Sequence, residues 1–167
     1  MRILEPVPLT RSAFSAFGEV IELEGARKIP INRGLTTRYH DLFTIDCGAE
    51  GGHPIVNVFR TDPLPLPHRV EVMERHPVGS QAFLPLDQDP FLVLVASQGD
   101  TVSAEDLVLF RTNGRQGVNF YRNTWHHFQI VTGQRRDFIV VDRAGPGDNL
   151  EEQSIRGSAL IEDDAGA

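Results

Sequence analysis

The chain has 167 residues, 40% of them hydrophobic and 23% charged, with a formal net charge of −7 and one cysteine, Cys47. That length and balance predict a single soluble domain over residues 1–167 with enough apolar material for a core. The acidity argues against a nucleic-acid partner, which calls for a basic stripe, and a lone cysteine excludes an intramolecular disulfide or a thiolate-cluster zinc site.

In chain order, the N-terminal MRILEPVPLTR lacks the apolar stretch of a signal peptide. One helix is predicted over residues 10–18. Thr10 or Ser12 is its N-cap, Phe14 and Phe17 form its apolar face, and Gly18 stops it. The rest reads as short strands at residues 19–23, 39–47, 54–59, 69–74, 81–85, 91–96, 107–111, 117–121, 127–131 and 137–142. Clusters of Gly, Pro, Asn and Asp divide them. Strands this short and evenly spaced predict a mainly all-β sandwich, jelly roll or barrel with one or two short peripheral helices. From about residue 145 the chain is expected to wrap the surface as a partly flexible tail, with the last six or so residues disordered. The longest apolar run, residues 91–96, is far too short to cross a bilayer, so a cytoplasmic protein without membrane contact is expected.

Two polar clusters could carry chemistry. In RVEVMERHPVGSQAFLPL, starting at Arg69, a period of two puts Val70, Val72, Glu74 and His76 on one face and turns Arg75 to the other. In GVNFYRNTWHH, starting at Gly117, a turn at Arg122-Asn123-Thr124 leads into a new strand. Trp125 and His127 share one face of it, His126 and Phe128 the other. The spacing of Glu74, His76 and Gln81 reproduces the first ligand motif of the cupin fold, His-x-His-x(3–4)-Glu, with Glu for the first histidine and Gln for the glutamate. Gly117, five residues, Asn123, two residues and His126 echo the second motif. His126 is therefore the expected pocket histidine and His127 a structural or interfacial one. Glu74, His76, Gln81 and His126 together suit a divalent first-row metal. The same residues also suit metal-free acid–base catalysis, and both readings stay open. His53 and His68 lie in Gly/Pro-rich stretches and are expected to be solvated.

Several long blocks then resemble one family. They are AFSAFGEVI from Ala13, INRGLTTRYHDL from Ile31, MERHPVGSQAFLP from Met73, FRTNGRQGVN from Phe110, NTWHH from Asn123 and VDR from Val141. Together they look like ureidoglycolate lyase, from about residue 3 to residue 155. The resemblance implies a cupin-like β-barrel, commonly a homodimer, that splits (S)-ureidoglycolate into glyoxylate and urea in allantoin breakdown, with nickel as the usual cofactor. It makes Glu74, His76 and His126 the catalytic candidates, and Gln81, Arg75, Arg122, Arg38, Tyr39 and His40 candidates for holding the ureide substrate. Arg75 and Arg122 are the candidate carboxylate clamps, while Arg38, Tyr39 and His40 would close the pocket from the loop at residues 32–41. Two other classes fit the same residues less fully: another metal-dependent cupin enzyme, which would call for more histidine ligands, and a non-catalytic cupin binding a small ligand in an apolar pocket.

Overall fold

A computed structural model describes residues 1–162. In chain order the elements are β1 (Arg2–Leu4), β2 (Val7–Pro8), α1 (Arg11–Phe14), β3 (Gly18–Ile21), β4 (Arg27–Ile31), β5 (Thr36–His40), β6 (His53–Thr61) and β7 (His68–Arg75). They continue with β8 (Gln81–Pro85), β9 (Leu92–Ala96), β10 (Val108–Arg111), β11 (Gly117–Phe120), β12 (Trp125–His126), β13 (Arg136–Ala144) and β14 (Glu151–Ile161). One sheet runs β1-β14-β7-β12-β9-β10-β2, a second β3-β11-β8-β13-β6, and β4 and β5 form a hairpin sheet of their own. This is the all-β architecture that the turn spacing predicts, and it is cupin-like, as the resemblance implies. Among the described residues no helix is long and apolar enough to cross a membrane.

Two cores hold the sheets. Phe83, Val118, Phe120, Phe138 and Val140 of the five-stranded sheet meet Val93, Val95 and Phe110 of the seven-stranded one, with Phe14 and Phe17 closing the end. The helix that presents Phe14 begins at Thr10, whose Oγ1 accepts from Ala13 N at 3.2 Å. A second cluster, including Leu92, Leu94, Leu107, Leu109, Met73 and Trp125, covers the outer face of the seven-stranded sheet. β9 lies between the two, which is why Leu92–Ala96 is apolar at every position instead of alternating.

Three expectations need correction, besides the strand expected at residues 39–47, of which only Tyr39 and His40 lie in a strand, at the end of β5. Residues 127–131 are not a strand: β12 ends at His126, and only Ile130 bridges, to Leu92. Residues 151–161, expected in a surface-wrapping tail, form β14, which pairs with both β1 and β7 inside the large sheet. The disorder expected for the last six or so residues falls on residues 163–167, outside those described, apart from Glu162. The third concerns the strand before the site. Val70 and Met73 both enter the outer cluster, so the alternation of β7 slips between them, and Val70 does not share a face with Glu74. β14 shifts register opposite this point, between Ser154 and Ala159. Such an irregularity re-aims the side chains that follow it. Here it sends Met73 and Arg75 to the outer face and Glu74 to the inner one.

Candidate active site

β12 is wedged between β7 and β9, and His126 is the direct cross-strand partner of both Glu74 and Val95. Cross-strand partners share a face, so His126 points inward with Glu74, while Trp125, opposite Ala96, enters the outer core. The turn that delivers β12 depends on Asn123, whose φ of 65° is a left-handed conformation that asparagine tolerates better than most residues. Its N–H donates to the His76 carbonyl at 3.0 Å, which ties the turn to the end of β7. Glu74, His76 and His126 thereby place one ligand atom each within 4.8 Å of one another. The His126 ring is 1% exposed and stacks on Phe120, with centroids 4.3 Å apart and planes at 13°.

Hydrogen bonds fix which nitrogens are free. His126 Nδ1 lies 3.0 Å from the Thr124 carbonyl, and His76 Nδ1 lies 2.5 Å from the Asn149 carbonyl. Carbonyl oxygens only accept, so both rings carry a proton on Nδ1 and turn Nε2 inward. His126 Nε2 is buried without a hydrogen-bond partner, 3.4 Å from Glu74 Oε1. His76 Nε2 faces Gln81 Oε1 at 3.0 Å. The orientation of that amide is set at its other end, where Gln81 Nε2 donates to Asp142 Oδ1 at 2.9 Å. Two electron-pair donors therefore face each other, and two more converge beside them. Only a cation, either a proton or a metal ion, reconciles such an arrangement.

Burial, and then the neighbouring His126 charge, hold His76 below its ordinary pKa, so an extra proton is disfavoured there. Burial alone would raise the Glu74 carboxyl. The imidazoles of His126 and His76 outweigh it and keep Glu74 below its usual value, hence ionised. Either a proton shared between His126 and Glu74 or a metal ion fits this set. Bonds of roughly 2.0–2.1 Å to a first-row ion put neighbouring donors about 3.0–3.4 Å apart, as the Glu74–His126 and His76–Gln81 pairs stand, while the triad's spread of up to 4.8 Å would have to close around an ion.

The site opens into a cavity of about 640 Å³, lined by Glu74 and His126 together with Glu71, Val72, Phe128 and Glu152. His127, expected on the opposite face with Trp125, also borders it, because β12 ends at His126 and alternation stops there, although it stands outside the triad. Its ring packs on His68, centroids 5.3 Å apart, and burial pushes its pKa down to about 4. His68, expected in solvent, has a buried Nε2 and is likewise lowered by burial.

The remaining candidates lie elsewhere. Arg75 donates to Glu151 at 2.7 Å and to the Gly99 carbonyl at 2.7 Å, and its guanidinium sits 4.5 Å above the Trp125 ring. Arg122 makes a two-pronged bond to Asp46 at 3.0 and 2.6 Å. Both clamps are thus engaged away from the cavity. Arg38 and Tyr39 ride on the β4–β5 hairpin, and His40 lines a separate cavity with Arg11, Arg27 and Asp41. Asp142, Asn149 and the Thr124 carbonyl orient the ligand set without having stood out in the sequence. Asp142 lay within a block that carried the family resemblance, but nothing about its spacing linked it to Gln81.

Comparison with known proteins agrees with this geometry. The family model described as ureidoglycolate lyase matches residues 1–162. A protein named ureidoglycolate lyase from Burkholderia mallei (strain NCTC 10229) is 52% identical over 165 residues, covering 99% of this chain and 96% of its own. Proteins of the same name from Pseudomonas putida (strain W619) and Pseudomonas aeruginosa (strain UCBPP-PA14) are each 47% identical over 152 residues. They cover 91% of this chain, and 91% and 90% of their own lengths. With its full described length matched and its predicted ligands converging on one point, this chain belongs to the ureidoglycolate lyase family.

Proposed function

We propose that this protein is a lyase that cleaves (S)-ureidoglycolate into glyoxylate and urea, a late step of allantoin breakdown. The observation that carries this reading is the convergence of Glu74, His76, Gln81 and His126, drawn from β7, β8, β12 and the turn after β7, in a chain of this family. The substrate carbon bears a hydroxyl, a carboxylate and a urea nitrogen. Cleavage removes the hydroxyl proton as the carbonyl forms, breaks the carbon–nitrogen bond and returns a proton to the departing urea nitrogen, without consuming water.

Glu74 is the proposed proton carrier. It is held ionised, and at 26% side-chain exposure, against 1% for His126, it is the more open of the two members that line the cavity. His76 and His126, with their Nδ1 protons committed to backbone carbonyls, present fixed lone pairs and hold position. Gln81, oriented by Asp142, completes the set. A divalent metal held by these four would supply Lewis acidity at the hydroxyl and carboxylate oxygens. Nickel is the ion the resemblance implies. The same proposal includes a homodimer and a cytoplasmic setting.

Urea and glyoxylate release from racemic ureidoglycolate tests the activity. Both products are expected in equal amounts from metal-reconstituted protein, with Glu74→Gln and His126→Ala each slower by about 10²–10⁴-fold. No release from folded, reconstituted protein would sink the assignment.

A further inference from the structure

The β4–β5 hairpin is the least embedded part of the described chain. It forms a two-stranded sheet joined to neither of the others, and its side chains are exposed from Pro30 through Arg38. Leu35 near its tip is 89% exposed. An isolated hairpin is marginal in water, so a surface that covers it would stabilise it. Residues 27–40 carry Arg27, Lys28, Arg33 and Arg38 but no carboxylate, in a chain of net charge −7. The side chains of Arg27, Arg33 and Arg38 have no hydrogen-bond or ion-pair partner among the described residues.

The cavity beside the triad has the complementary character. Glu71 and Glu152 on its wall are exposed and lack ion-pair partners among the described residues. Val72 and Phe128 between them are 40% and 50% exposed. Its volume far exceeds what one small ureide fills, and it is short of cations. Arg75 and Arg122 are committed elsewhere. Arg69, on its lining, is five residues from Glu74, roughly 15 Å along the strand.

We propose that the hairpin of one copy of this chain docks reciprocally in the groove beside Glu74 of a second copy, closing that cavity. Arg33 and Arg38 meet Glu71 and Glu152, and Leu35 and Ile31 cover Val72 and Phe128. The exchange is isologous, so each protomer both gives and receives a hairpin. It also brings to each site the guanidinium that its own chain withholds. Only this last consequence rests on the lyase reading; the docking is read without activity.

A charge swap tests it, with sedimentation of full-length protein as the readout and circular dichroism as the control for folding. The unmodified protein is expected to be a dimer. Arg33→Glu with Arg38→Glu, and separately Glu71→Lys with Glu152→Lys, should each weaken that dimer about tenfold or more. Mixing the two variants should restore it, because each hairpin then meets a groove of opposite charge. A monomeric unmodified protein overturns the proposal, including one whose hairpin binds an anionic polymer instead. So does a dimer indifferent to both reversals, or a mixture that recovers nothing. Failure of the lyase assay would leave these outcomes unchanged, which keeps the two readings separable.

Discussion

Asp142 governs the ligand set although it touches none of the inward lone pairs. Its carboxylate accepts the Gln81 amide and so turns the amide oxygen toward His76. Without it the side chain of Gln81 is free to rotate. Asp142→Ala should lower divalent-metal affinity about 10–100-fold in calorimetric titration of folded protein; an unchanged affinity would remove Gln81 from the ligand set. His127 poses a stability question at the same scale. Its folded pKa of about 4 lies below the ordinary histidine value near 6.5. The unfolded chain therefore binds a proton that the folded chain refuses. Stability from this group is intact above about pH 6.5 and is lost as pH falls toward 4, by on the order of 3 kcal/mol. Urea midpoints should drop over that window, and His127→Gln should flatten the drop. An equal slope in the variant would move the cause elsewhere.

Among the elements, β7 is decisive. Its slip between Val70 and Met73 puts Glu74 in the cavity and Arg75 against Trp125. Arg75→Ala should therefore cost about 1–2 kcal/mol in denaturant unfolding, from the lost ring stacking and stem packing. The Michaelis constant should stay near its original value. A large rise in that constant with stability intact would instead make Arg75 a carboxylate clamp. Most strands were legible to within a residue or two because alternation and turn residues act between near neighbours, as at residues 81–85. β14 was not. It opens Glu-Glu-Gln-Ser with its side chains largely exposed, so it carries little apolar pattern, and its place in the sheet comes from main-chain bonds to β7 and β1. Residues 127–131 misled in the opposite direction. Phe128, Ile130 and Val131 look strand-like, yet Phe128 is half exposed on the groove while the other two are buried in cores on opposite faces of the sheet.

For the molecule as a whole, the proposed four-donor site joins β7, β8 and β12, so an ion held there would stabilise the fold through the affinity it has for the folded state alone. At about 100 times its dissociation constant a divalent ion should add about 2.7 kcal/mol, or roughly 5–10 °C in the melting temperature of a chain this size. Chelation should remove that increment, re-addition should restore it, and His126→Ala should be insensitive to both. Equal melting temperatures with and without the ion would argue for the proton in its place. By itself the sequence determined the β-rich class, the family resemblance and the inward aim of His126, but not the place of His127, which borders the same cavity instead of facing away with Trp125. Each of the three it determined follows from residue spacing and strand alternation, which are local. Only the tertiary structure decided which nitrogens are free, what orients Gln81, and that Arg75 and Arg122 are already engaged. Those outcomes depend on Asn149, Asp142, Glu151 and Asp46, which the chain brings into hydrogen-bond range only once the sheets have closed.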